Sequence, residues 1–149
     1  MPSRRVLSRA LLLAIPLATM GCGKELGRVT FAGEGTASTT VTLAAGDVDL
    51  WTALDIEYEG DAALAYTVEL VQGGATVATT VCNPLARLTV RTGWTSKSWG
   101  GSHSSKGNGK MACSVHIPSG GPTTVNATLA FSRRPTKLRL TQADLLVKQ

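Results

Sequence analysis

From Val48 to Tyr58 the chain alternates in character: Val48, Leu50, Leu54, Ile56 and Tyr58 share one parity, while Asp49, Asp55, Glu57 and Glu59 share the other. A period of two places the two sets on opposite faces of a strand and cannot serve a helix, whose apolar residues must recur every three or four positions. A chain holding this segment has to build a sheet with one dry face. The pattern recurs in Leu64, Tyr66, Val68 and Leu70, in Leu88 and Val90, in Met111, Cys113, Val115 and Ile117, and in Val125, Ala127, Leu129 and Phe131. Gly73-Gly74 turns one run into a hairpin partner, Ala75 to Cys82, which Asn83-Pro84 ends. Shorter strands at Arg28 to Phe31 and Ser38 to Leu43, and a late one from Lys137, complete the count. No long stretch has helical spacing, so the expected fold class is all-β: an antiparallel β-sandwich, jelly-roll or Ig-like, of about eight or nine short strands. A parity change between Leu140 and Leu145 predicts a bulge near Gln142.

The opening residues read differently. Arg4, Arg5 and Arg9 precede the apolar run Ala10 to Ala18, a charged segment followed by a hydrophobic one too short to span a bilayer. Small Gly21 then stands before Cys22. The stretch Thr19-Met20-Gly21-Cys22 resembles the lipobox of the bacterial lipoprotein class in a relaxed form, with Thr19 where Leu is usual and Met20 where a small residue is usual. The resemblance implies a signal peptide over residues 1–21, cleavage before Cys22, and acyl chains on Cys22. Several chains together anchor a protein stably where one does not, at about 0.8 kcal/mol per buried methylene. Residues 22–27 then form a lipidated tether and residues 28–149 a single domain. The implied address is the cell envelope, the outer membrane rather than the inner, because Gly23 follows Cys22 where an inner-membrane retention signal has Asp.

Lipidation of Cys22 leaves Cys82 and Cys113, which an oxidising periplasm would join; the alternative is two separate buried thiols. Charge is polarised along the chain. From Cys22 to Val81 there are nine acids and two bases, and from Cys82 onward ten bases and one acid. Loss of the three leader arginines leaves twelve bases against ten acids, so the formal +5 overstates any attraction to nucleic acid. The expected arrangement sets acidic and basic strands side by side, paired across the wet face.

The segment Thr92 to Lys110, rich in Gly and Ser, reads as a long loop carrying Trp94, Trp99 and His103. Together with Trp51, which shares parity with Asp49 and Asp55, these are the candidate ligand-binding residues: exposed indoles stack on sugar rings or a partner's aromatic groups. Catalysis finds little support, with His103 and His116 the only histidines and no Gly-x-Ser-x-Gly elbow. Gly107-Asn108-Gly109-Lys110 lacks the first Gly of a phosphate loop, replaced by Ser104, and Met111 stands where Ser or Thr is required. Calcium would need several of Asp47, Asp49, Asp55, Glu57, Glu59 and Asp61 at one place, yet Asp49 and Glu57 lie more than about 20 Å apart on a straight strand. Cys113-Ser114-Val115-His116 resembles a cupredoxin copper loop, but no Met follows and the two ligands face opposite ways. No metal or cofactor is therefore expected. The function expected is a membrane-anchored, non-catalytic envelope lipoprotein that binds an envelope protein or serves a structural role; the alternative is a carbohydrate- or peptidoglycan-binding module using Trp94 and Trp99.

Overall fold

The computed structural model describes residues 23–149. The expected signal peptide, the lipobox-like stretch and Cys22 lie outside the described residues. Nine strands follow in order: β1 (Glu25–Phe31), β2 (Gly35–Leu43), β3 (Gly46–Glu59), β4 (Ala63–Gln72), β5 (Ala75–Cys82), β6 (Leu88–Trp99), β7 (Ser102–Ile117), β8 (Gly121–Arg133) and β9 (Lys137–Lys148). They form a five-stranded sheet, β1-β9-β3-β7-β6, facing a four-stranded sheet, β2-β8-β4-β5. The antiparallel partners are nested: β4 with β5 at the centre, then β3 with β7, β2 with β8, and β1 with β9 outermost. A ribbon of paired strands folded over on itself in this manner is a jelly roll, and β6 is an added strand on its rim.

Alternation fills the space between the sheets. Val48, Leu50, Leu54 and Ile56 of β3 face Leu64, Tyr66, Val68 and Leu70 of β4, with Val125, Ala127 and Leu129 of β8 and Ala143, Leu145 and Val147 of β9 around them, all essentially closed to solvent. Tyr66 brings a hydroxyl into this core, where it meets Thr52 Oγ1 at 3.0 Å and donates to the Asp144 carbonyl at 3.3 Å. Burial is thus matched by hydrogen bonds, as an interior phenol requires. The sheets are also joined covalently, by a disulfide between Cys82 on β5 and Cys113 on β7.

The expected bulge is present, with Asp55 paired to Gln142 but Ile56 to Leu140, which leaves Thr141 as the extra residue. Three expectations change. Residues read as tether belong largely to the sheet: Lys24 exchanges backbone hydrogen bonds with Gln149, and β1 begins at Glu25. Leu88 and Val90 do not share a face, because a register shift between them turns Leu88 inward and leaves Val90 exposed. The segment Thr92 to Lys110 is a hairpin rather than a loop. Gly100 and Gly101, at φ of 54° and 81°, make a two-residue turn whose left-handed backbone matches the strand twist. Its Ser and Thr side chains read as loop-like because β6 is an outer strand that is exposed throughout Thr95 to Trp99, where neither face has to be apolar. Inside the hairpin, Gly93 (φ 58°) and Trp94 bulge opposite Gly107, where an added Cβ would lie 2.6 Å from the Gly93 carbonyl oxygen. Only glycine fits there.

Candidate functional site

The far ends of β3, β6, β7 and β9 meet at one end of the long sheet, since Tyr58 pairs with His103 and with Leu138, and Ser98 with His103. This cross-strand row places side chains from four distant parts of the chain within reach of one another. The Tyr58 and His103 rings stack with centroids 5.0 Å apart, and Ser98 Oγ lies 2.9 Å from His103 Nδ1. Beside them Trp99 is 60% exposed and Leu138 39%. Tyr58, His103, Trp99 and Leu138 line an open cleft of about 290 Å³ together with Glu57, Glu59, Lys137 and Arg139. Along its rim Lys137 meets Glu59 at 3.2 Å and Arg139 meets Glu57 at 3.9 Å.

Burial, and then the charge of Asp61, pushes the Tyr58 phenol above its ordinary value, so it remains a neutral donor at physiological pH. Strand alternation turns Trp99, paired with Ser102, to the face that carries Glu59 and Lys137, and turns Tyr58 and His103 to the other, so the cleft sets an exposed indole against a rim of alternating charge. Such a surface holds a ligand with an apolar face and polar edges. Ser98 and His103 touch, yet among the described residues no carboxylate orients His103 as it would in a catalytic triad.

The candidate residues divide. Trp99 and His103 both line the cleft, Trp99 from one face of the sheet and His103, in a row with Tyr58 and Leu138, from the other. Trp94 does not: its ring is half-buried against the core, and Nε1 donates to Ser96 Oγ at 2.9 Å. A shared Trp94–Trp99 platform is thus not formed. Trp51 is a plain correction, for it is only 3% exposed. Leu146 lies directly across from it, Ala53 beside it, and the Lys148 ammonium sits 3.9 Å from its ring centroid. A small apolar cluster capped by a cation thus interrupts the outer face of the long sheet, where parity alone gave solvent. Tyr58 and Leu138 carried no mark in the sequence as site residues, because only strand register brings them to His103 and Trp99.

The acids of β3 behave as charge partners for its neighbours. Asp49 meets Lys110 at 3.2 Å, Asp55 meets Lys106 at 3.3 Å, and Asp47 meets His116 Nδ1 at 2.9 Å. With Glu57, Glu59 and Asp61, which face Arg139, Lys137 and Arg133, each of the six carboxylates weighed as calcium ligands has a different base beside it. Cys113, weighed for copper, is held in the disulfide. Among the described residues no three His, Cys, Asp or Glu side chains converge on a metal position.

No protein family and no curated protein matches the sequence. Solved structures with a similar course of the chain include the infectious bursal disease virus VP2 subviral particle, at 13% identity and a TM-score of 0.39, covering 84% of this chain and 30% of that one. Another is the structure of the infectious bursal disease virus Gt strain, at 13% identity and a TM-score of 0.35, covering 99% of this chain and 39% of that one. The chain spans well under half the length of either.

Proposed function

We propose that this chain is a lipid-anchored envelope lipoprotein whose jelly roll is a non-catalytic binding domain, held to the membrane through Cys22 and presenting its cleft at the opposite end. The observation that carries the reading is the placement of the two ends. Lys24 is paired beside Gln149 at one end of β9, whereas Lys137 and Leu138, at the other end of the same strand, line the cleft. Eleven steps along β9 span about 36 Å. Only Gly23 separates Cys22 from a residue fixed in the sheet, so an acyl chain on Cys22 sets that end against the headgroups and directs the cleft away from them. The bound partner is an envelope protein.

Exposed Trp99 on the face that carries Glu59 and Lys137 favours a second reading, a glycan whose C–H face stacks on the indole while its hydroxyls meet the charged rim. Two measurements test the proposals. Mass spectrometry of the protein from membranes is expected to find diacylglycerol on Cys22, with Cys22→Ser released to the soluble fraction; an unmodified Cys22 in a soluble chain overturns the anchor. Binding to a panel of peptidoglycan fragments and envelope proteins should fall at least tenfold in Trp99→Ala. Binding that ignores this change moves the site elsewhere.

A further inference from the structure

The ion pairs leave most of the unpartnered positive charge along one strand and the connection into it. Nine of the ten acids lie within salt-bridge distance of a base: Glu25, Glu34, Asp47, Asp49, Asp55, Glu57, Glu59, Asp61 and Asp144. The tenth, Glu69, accepts a hydrogen bond from Thr76. Among the described residues five of the twelve bases then have no acid partner, and Lys148 covers Trp51. Three of the other four, Arg87, Arg91 and Lys97, stand on β6 and the connection into it, all exposed.

Strand order gives this a direction. The long sheet runs basic β9, acidic β3, basic β7 and basic β6, so its regular opposition of charge ends on two basic strands side by side. β6 is the outer strand, with every second residue turning its N–H and C=O away from β7. The run Thr95 to Trp99 pairs with Lys106 to Ser102 without a register break, is exposed throughout, and has Lys97 at its centre. The neighbouring edge, β5, reads ATVATTVC and carries no charge.

We infer that the β6 edge receives an extended acidic segment of a partner protein, added as a sixth strand along Thr95 to Trp99, with its carboxylates opposite Lys97. Backbone hydrogen bonds supply the attachment and the unpartnered cations supply the choice of partner. The same charges deter a second copy of this chain, because self-pairing would bring β6 cations together, and the Gly93–Trp94 bulge confines the flat part of the edge to five residues. This surface lies on the rim of the sheet and its occupancy does not depend on lipidation of Cys22.

The test uses the full chain in detergent micelles and a fluorescent decapeptide of alternating Thr and Glu. Binding followed by anisotropy is expected to weaken at least tenfold when every peptide amide is N-methylated, and likewise in Lys97→Glu. Lys97→Ala should weaken it less, and a Thr-Lys peptide should not bind. Amide exchange at alternate residues of Thr95 to Trp99 should slow when the acidic peptide is present. Failure of the Thr-Glu peptide to bind, or equal binding by the N-methylated peptide, overturns the inference. Dextran sulfate competing as well as the peptide, without protection of β6 amides, would also overturn it and make the strand a patch for anionic polymers.

Discussion

Replacing both Cys82 and Cys113 with Ala removes the covalent tie between β5 and β7, and its cost follows from the loop it closes. The two cysteines are 31 residues apart in sequence. On the chain-entropy relation a closed loop of that size lowers the entropy of the unfolded ensemble by about 12 cal/mol/K, worth about 3.7 kcal/mol at 25 °C. Loss of this constraint acts on the unfolded chain, which becomes more expanded, so the denaturant dependence should steepen as the stability falls. Urea unfolding followed by tryptophan fluorescence, with the oxidised parent as reference, is the assay. With a slope of about 1.5 kcal/mol/M the midpoint should drop by about 2 to 2.5 M. Small domains are stable by only about 5 to 15 kcal/mol, so the variant should be visibly marginal. A loss below about 1 kcal/mol with an unchanged slope would refute the reasoning, since it would mean that the unfolded chain was never restrained by the bond.

The two tyrosines separate under alkali: burial raises the Tyr58 phenol moderately and the Tyr66 phenol far more. Below pH 10 both states hold Tyr66 neutral, whereas above it only the unfolded chain ionises freely, so stability declines as pH rises past 10. Absorbance at 295 nm should show Tyr58 titrating in the native protein and Tyr66 only as the fold is lost; reversible titration of both without unfolding would contradict this. Gly107→Ala presses a Cβ onto the Gly93–Trp94 backbone and should cost about 1 to 3 kcal/mol, read as a lower midpoint in thermal or urea melts. Acrylamide should quench Trp99 strongly and Trp51 hardly at all, so that Trp99→Phe removes most of the quenchable emission.

Strand identity was legible wherever one face is buried. The alternation in β3, β4 and β8 is a direct record of which side chains enter the core, and the parity change in β9 located its bulge. The β6–β7 hairpin was not legible, because its end, Thr95 to Lys106, has no buried residue to impose a period, and Gly and Ser then resemble a loop. Trp51 failed for a related reason: parity assigns a face, but a long lysine and a leucine on the next strand decided whether that face was wet. In the cleft, Trp99 and His103 stood out by residue type. Tyr58 and Leu138 did not, since their position depends on the register of β3 against β7 and β9, which the linear pattern leaves open.

Nesting of the strand pairs sets an order of assembly. β4 and β5 are neighbours in sequence and can close as a local hairpin, while β1 must wait for β9, separated from it by more than a hundred residues. Loop-closure entropy makes such distant pairing slow. During synthesis the first strand therefore stays without its partner until the ninth has emerged, and the outermost pair is the last to close. Delay built into the topology thus ties completion of the long sheet to the arrival of the chain's last strand.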